Sequence, residues 1–274
     1  MRVLITGSEG FIGQHLVRYL EQQGIRVIRY DLKLGLDIFD EWALYMAVRD
    51  CDLIVNLAGC TAVPVSYKVP FNYYRVNTEG AARVFRVASE YKKKVIHAST
   101  GEVYVGNSPY AASKIGAEAA ADAEAMINDA KIVCLRFLNP YGAGQPHSYV
   151  IPLFLRKALK GEPLTIHGEG QHAKDYIYVS DIAEAIWTAR RLPFGLKVDV
   201  GSGKVTSINQ IADVVEKVVA PQPVTRTYTD KGKRIGEKEV LKGNVKPLLD
   251  LGWKPKISLE EGVKLVKEDV LGDL

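Results

Sequence analysis

The stretch Arg2-Val3-Leu4-Ile5-Thr6-Gly7-Ser8-Glu9-Gly10-Phe11-Ile12-Gly13 decides the fold of this 274-residue chain. Arg2 to Thr6 is an apolar run of the kind that forms a strand buried on both faces. Gly7, Gly10 and Gly13 follow at three-residue spacing, and an amphipathic stretch runs from Phe11 to Gln23. Glycine permits a tight turn between strand and helix and lets backbone N–H groups approach an anion at the helix N-terminus. Gly13 allows the helix to lie close to the strand. A glycine-rich turn without a ligand is the blander reading. The strand before it and the helix after it favour a dinucleotide, held at Gly7, Gly10, Phe11, Ile12 and Gly13.

The next segments extend the pattern. Arg26 to Tyr30 reads as a second strand with Asp31 at its end. A carboxylate there accepts hydrogen bonds from an adenine ribose and repels a 2′-phosphate, which favours NAD over NADP; a loop acid or a helix cap is the alternative. Asp37 and Ile38 follow in a loop that can border the adenine. Asp52 to Gly59 gives a third strand ending in the small stretch Leu57-Ala58-Gly59, which admits a cofactor close to the backbone. A helix is expected from about Phe71 to Tyr91, carrying Asn77. Val95 to Ala98 is the fourth strand and Ile132 to Phe137 the fifth, separated by a helix from Tyr110 to about Met126 that is rich in Ala and Glu.

Alternating strands and helices predict an α/β fold, a Rossmann-type doubly wound parallel sheet. In such sheets ligands bind beyond the C-terminal strand ends. Gly7, Asp31, Ala58, Thr100 and Asn139 all fall at or just past such ends. Residues 1–145 are expected to form the NAD-binding domain, with strands from 174–200 returning to it. Residues 146–274 are expected to supply mainly a smaller C-terminal substrate-binding lobe. There, helices are read from Tyr149 to Lys160, from a Ser180-Asp181 cap to Arg191, and from Ile208 to Val219.

Tyr110 and Lys114 are spaced to stand one above the other on a helix face. A free phenol titrates near pH ~10, and a cation one turn away favours its ionised form. The pair is a candidate general base for an alcohol proton. By itself Tyr-x-x-x-Lys is a weak signal, so its surroundings carry the argument.

Composition excludes several classes. Hydrophobic residues make up 47% and charged residues 25% of the chain, as in ordinary globular enzymes. The net charge of +4 is mild, and Lys92-Lys93-Lys94 reads as solvated surface instead of a nucleic-acid patch. The three cysteines, Cys51, Cys60 and Cys134, have no metal-ligand spacing and read as reduced thiols. No metal site is expected from the histidines either, and His97 reads as a core residue. No apolar run approaches membrane-spanning length and no signal peptide is read, so a cytoplasmic protein is expected, with no membrane or nucleic-acid partner.

Together these residues resemble the extended short-chain dehydrogenase/reductases, in particular the NAD-dependent epimerase/dehydratase group acting on nucleotide sugars. The resemblance rests on Gly7-x-x-Gly10-x-x-Gly13, Ser99-Thr100 before Val103-Tyr104, and Tyr110-x-x-x-Lys114. It continues through Arg136-Phe137-x-Asn139-Pro140-Tyr141-Gly142, Gly168-Glu169-Gly170-Gln171-x-x-Lys174-Asp175-Tyr176 and Leu251-Gly252-Trp253-x-Pro255. It implies Tyr110 as catalytic base, Lys114 on the nicotinamide ribose, and Thr100 on the sugar hydroxyl being oxidised. It also implies Asn139, Lys174 and Arg234 as substrate contacts near the diphosphate, and a homodimer built on the helices at about 72–91 and 110–126.

Three departures from the family pattern stand out. The loop between Tyr104 and Tyr110 is short, Lys174 replaces a common Arg, and Ile235 replaces a usual Pro. The reaction then turns on Thr100-Gly101-Glu102. Dehydratase relatives read Thr-Asp-Glu, with an acid and a base to eliminate water. Here Glu102 fills the base position, but Gly101 cannot protonate a leaving hydroxyl. A 4-epimerase working through a 4-keto sugar is therefore the first expectation. A 4,6-dehydratase or uronic-acid decarboxylase using Glu102 comes second, and a non-catalytic NAD(H) sensor or scaffold third.

Overall fold

Nearly continuous apolar runs at Leu4, Ile54, Val95 and Val133 end up where such runs must, in the interior of a sheet. The computed structural model describes residues 1–230 and 240–273. Its elements, in chain order, are β1 (Arg2–Thr6), α1 (Phe11–Gln22), β2 (Arg26–Tyr30), α2 (Glu41–Arg49), β3 (Leu53–Asn56), α3 (Val63–Ser66) and α4 (Pro70–Tyr73). After a π-helical turn (Tyr74–Gly80) come α5 (Ala81–Glu90), β4 (Lys94–Thr100), a 3-10 turn (Gly101–Tyr104), α6 (Pro109–Asn128), β5 (Lys131–Phe137), β6 (Asn139–Tyr141), α7 (Val150–Leu159), β7 (Leu164–His167) and β8 (Ala173–Tyr178). The chain closes with α8 (Val179–Ala189), β9 (Lys197–Val200), β10 (Val205–Ser207), α9 (Ile208–Val219), β11 (Arg226–Thr229), β12 (Val240–Leu241), α10 (Lys246–Leu249) and α11 (Leu259–Gly272).

The chain divides into two units. The first comprises Met1–Phe137, Ala183–Val200 and Lys246–Trp253. It holds a six-stranded sheet in the order β2-β1-β3-β4-β5-β9, parallel at every pairing. The chain steps from β1 outward to β2, then returns to the other side of β1 for β3 to β5. That reversal lies between β1 and β3 and is the topological switch point where such sheets take a ligand. Right-handed crossovers put α2, α5 and α6 on one face and α1 on the other. On the first face Leu4, Ile54, Val95 and Ile132 pack with Leu44 and Val48 of α2, Val84 and Phe85 of α5, and Ala117 and Ala121 of α6.

The expected helix from Phe71 to Tyr91 is present as a continuous helical segment, but its middle widens into the π-helical turn. Asn77 sits in that turn, and such turns recur at functional sites. The helix α6 starts as its sequence dictates. Ser108 accepts the Ala111 N–H at 3.1 Å as N-cap, and Pro109 takes the first helical position, where it loses no hydrogen bond.

The second unit comprises Leu138–Ile182, Gly201–Val245 and Lys254–Leu274. Here β8 is flanked by β10 and β12 and also pairs with β6, while β7 pairs with β11. The helices α7, α9 and α11 pack on one another. The expectation that Ser180 and Asp181 cap a helix is corrected. The helix begins at Val179, which puts both residues inside its first turn. The Asp181 carboxylate instead accepts the N–H groups of Lys256 and Ile257 at 3.1 Å each. Among the described residues no helix is long and apolar enough to cross a membrane.

Candidate active site

The cradle at the end of β1 is built from missing side chains. Gly7 has φ +74°, and a Cβ there would come within 2.8 Å of the Leu57 and Ala58 backbone. A Cβ on Gly13 would lie 2.1 Å from the Gly7 carbonyl oxygen. Only glycine lets the turn, the start of α1 and the end of β3 approach this closely. Helix α1 has no side-chain cap and no acidic residue in its first turn, so its leading N–H groups, at Phe11 and Ile12 among others, remain available to an anion. A pyrophosphate fits this cradle.

Asp31 reaches back to the same turn. Its Oδ2 accepts the Glu9 N–H at 3.0 Å and its Oδ1 accepts the Lys33 N–H at 2.9 Å. It therefore both caps a short 3-10 turn (Leu32–Leu34) and presents a carboxylate beside the glycines. Asp37 is exposed and accepts the Phe39 N–H at 3.0 Å through its side chain. Ile38 is a core residue, 7% exposed, with its side chain against Gly80. Only its backbone is left to border a ligand.

Beyond β3 the chain is clasped by Asn77, which is fully buried. Its Oδ1 accepts the Cys60 N–H at 2.7 Å, and its Nδ2 donates to the Cys60 carbonyl at 3.0 Å and to Ser113 Oγ at 2.9 Å. Asn77, expected at the cofactor, thus spends its amide donors on holding Cys60 against α6. Ser113 passes its own hydroxyl hydrogen to the Tyr110 carbonyl at 2.7 Å, and its carbonyl accepts Thr78 Oγ1 at 2.7 Å. Ser113 and Thr78 carry no motif in the sequence, and only the π-helical turn brings them together.

This clasp surrounds the Tyr110–Lys114 pair. Lys114 is 4% exposed, and its Nζ donates to the Ala98 carbonyl at 2.9 Å. Burial strips the ammonium of water and lowers its pKa to about 8. A Cβ on Gly59 would stand 3.3 Å from that Nζ, so a glycine just beyond β3 keeps space open beside it. Tyr110 is half-buried at the second position of α6, where the positive end of the helix dipole favours a phenolate. The Tyr73 ring meets it edge-on at 6.1 Å, and Tyr73 is fixed by its hydroxyl on the Thr61 and Ala62 carbonyls.

Thr100 ends β4 and is 5% exposed. Its Oγ1 accepts the Glu102 N–H at 3.2 Å, capping the 3-10 turn that carries Glu102. With one lone pair taken this way, the hydroxyl can donate its hydrogen to a substrate oxygen. Behind the site runs a buried polar row across β1, β3 and β4. Thr6 Oγ1 donates to Asn56 Oδ1 at 2.6 Å, and Asn56 Nδ2 faces His97 Nδ1 at 3.1 Å. Asn56 must therefore donate, which makes Nδ1 the acceptor and puts the imidazole proton on Nε2. Burial holds His97 well below its usual range, so it stays neutral.

In the second unit, Asn139 opens β6, and its Nδ2 is buried without a partner in the structure. A buried unmatched donor is what an absent acceptor leaves behind. Lys174 lies on β8, half-buried. Arg234 lies outside the described residues. Among the described residues, no group of three His, Cys, Asp or Glu side chains can hold a metal ion.

Residues 3–199 match the family described as NAD dependent epimerase/dehydratase. The chain belongs to this family. Its fold and its NAD dependence are thereby set. A UDP-glucose 4-epimerase of Thermotoga maritima, solved with UDP-glucose, is similar at 26% identity and a TM-score of 0.89, covering 100% of this chain and 99% of that one. A UDP-glucose 4-epimerase of Thermus thermophilus, solved with NAD, gives 27% identity and a TM-score of 0.87, with full coverage of both (100% and 100%). A putative UDP-glucose 4-epimerase of Methanocaldococcus jannaschii is 28% identical over 298 residues, 96% of either chain.

Proposed function

We propose that this chain is an NAD-dependent nucleotide-sugar 4-epimerase in which Tyr110 is the base, assisted by Lys114 and Thr100. The observation that carries it is local. Tyr110 and the buried Lys114 open α6, Thr100 ends the neighbouring strand, and Gly101 stands where elimination would need an acid. The match to 4-epimerases over the full chain supports the same reading.

Gly7 to Gly13 and Asp31 would hold the pyrophosphate and the adenine ribose, and Leu57 to Gly59 with Lys114 the nicotinamide end. When bound, NAD supplies the acceptor for a C4 hydride and returns it. Tyr110 takes the C4 hydroxyl proton and later gives it back, and the Lys114 cation favours its ionised form. Thr100 donates to the oxygen on which charge changes. The 4-keto sugar turns over between the two transfers, so its other face is reduced. Asn139, Lys174 and Arg234 are assigned to the phosphate end of the substrate, where cations pair with phosphate oxygens. Glu102 keeps a second reading alive. A carboxylate next to Thr100 can serve as base in a dehydratase or assist a decarboxylase.

Incubation with UDP-glucose, UDP-glucuronate and dTDP-glucose distinguishes these. Unchanged mass with inverted C4 stereochemistry supports epimerisation; loss of water or carbon dioxide sinks it. We further assign the protein to the cytoplasm as a homodimer. Ile115, Ala119 and Met126 give α6 an exposed apolar stripe that a second copy would cover. Light scattering at micromolar concentration is expected to give twice the chain mass, and a monomer mass would reject the dimer.

A further inference from the structure

One row of polar groups in the first unit belongs to none of the roles above. It begins at Ser99, beside Thr100, and ends on β9. Ser99 Oγ donates to Glu118 Oε1 at 2.6 Å. Arg136 grips the same carboxylate with two bonds, Nε to Oε1 at 2.9 Å and Nη2 to Oε2 at 2.6 Å. The third arm of Arg136, Nη1, donates to the Tyr104 hydroxyl at 3.0 Å. That hydroxyl lies 2.9 and 3.0 Å from the two oxygens of Asp199. A phenol has one hydrogen. Since Tyr104 accepts from Arg136, it donates to Asp199, and the direction of every bond in the row follows.

The row joins the two halves of the site. Glu118 stands one helical turn beyond Lys114 on α6. Tyr104 is the last residue of the 3-10 turn whose first bond is Thr100 to Glu102. Arg136 and Asp199 come from β5 and β9. Glu118 and Asp199 are buried, at 5% and 4% exposure. A buried ion pair is a weak source of net stability, because desolvation offsets its attraction. What such a row supplies is geometry, and small misplacements of reacting groups are costly in rate.

We infer that Tyr104, held between Arg136 and Asp199, is a positioning residue that fixes the Thr100–Glu102 turn against the helix carrying Tyr110 and Lys114. The inference rests on the reading of Thr100 and Tyr110 as the reacting pair, whichever reaction follows. The short loop after Tyr104 makes this anchor more consequential, since few residues remain to hold the turn from its far side. The hydroxyl of Tyr67 donates to the Asn107 carbonyl at 3.2 Å and adds a further hold on the loop.

Four variants test it: Tyr104→Phe, Asp199→Ala, Asp199→Asn and Arg136→Lys. Tyr104→Phe and Asp199→Ala are expected to lower kcat about 10- to 100-fold with KM for the nucleotide sugar within about threefold. Asp199→Asn still accepts from the phenol and is expected to recover kcat to within about threefold of the wild type. Arg136→Lys cannot make the two-bonded grip and is expected to fall with the first pair. Amide exchange at residues 101–106 should speed up in Tyr104→Phe and stay slow in Asp199→Asn. Wild-type kcat and unchanged exchange in Tyr104→Phe would overturn the inference, as would Asp199→Asn behaving like Asp199→Ala. If the wild type turns over no nucleotide sugar, the function reading fails, and the exchange measurement still decides the row.

Discussion

The ammonium of Lys114 donates to the Ala98 carbonyl at 2.9 Å from a position that is 4% exposed. Its pKa of about 8 lies below the ordinary lysine value because burial penalises the charge. The unfolded chain therefore binds this proton more tightly than the folded one. Below pH 8 the full cost of the buried charge is present, and it is relieved as pH rises toward the unfolded value near ~10.4. Lys114→Met is expected to abolish turnover while raising Tm by a few degrees at pH 7, about 3 °C. Calorimetry checks this; a lower Tm at pH 7 would mean that the charge is stabilised by the fold.

His97 gives the opposite limb of the pH profile. Its folded pKa lies well below the ordinary value because it is completely buried. Above pH ~6.5 both states are neutral and the group has no effect. As pH falls below that value the unfolded chain gains a proton that the folded chain refuses, and stability drops until the folded pKa is reached. Denaturation followed from pH 7 to pH 5 should show this slope in the wild type. His97→Gln should flatten it.

Gly13→Ala would place a Cβ 2.1 Å from the Gly7 carbonyl oxygen, a distance no relaxation of a flexible side chain can relieve, because the neighbour is backbone. The variant is expected to lose about 2–4 kcal/mol of stability. NAD binding should weaken at least tenfold by calorimetric titration. Gly272→Ala is the control, a glycine in a helix with no atom within 4 Å of its added Cβ.

Asp31→Ala removes the acceptor of the Glu9 N–H. NAD affinity is expected to fall about tenfold, or ~1.4 kcal/mol, and the preference over NADP to narrow. Equal loss for both cofactors would show that Asp31 only shapes the turn.

Legibility in the sequence differs by element. The first strand and the glycine turn after it follow from sequence because local rules and burial agree there, whereas the register of β1 with its neighbours does not. The Tyr110 helix is legible from its run of good helix formers, while its start at Pro109 behind the Ser108 cap comes from the structure. The helical pattern places Asn77 in a helix, but its clasp on Cys60 and Ser113 depends on a π-helical turn that no spacing announces. The row from Ser99 to Asp199 was invisible, since its members meet only through strand order. The role of Asp181 is not legible, because an acid near a helix start has the same local signature whether it caps the helix or bonds N–H groups 75 residues away.

The central claim is that hydride leaves and returns at C4 of the sugar while Tyr110 handles the proton. A nucleotide sugar carrying deuterium at C4 tests it most directly, with wild type and Tyr110→Phe side by side. The wild type is predicted to return epimerised sugar with the label still on C4, and Tyr110→Phe to bind NAD normally with kcat reduced about 10²- to 10⁴-fold. Label moved to C6 or lost to solvent, or a Tyr110→Phe variant as fast as the wild type, would contradict it.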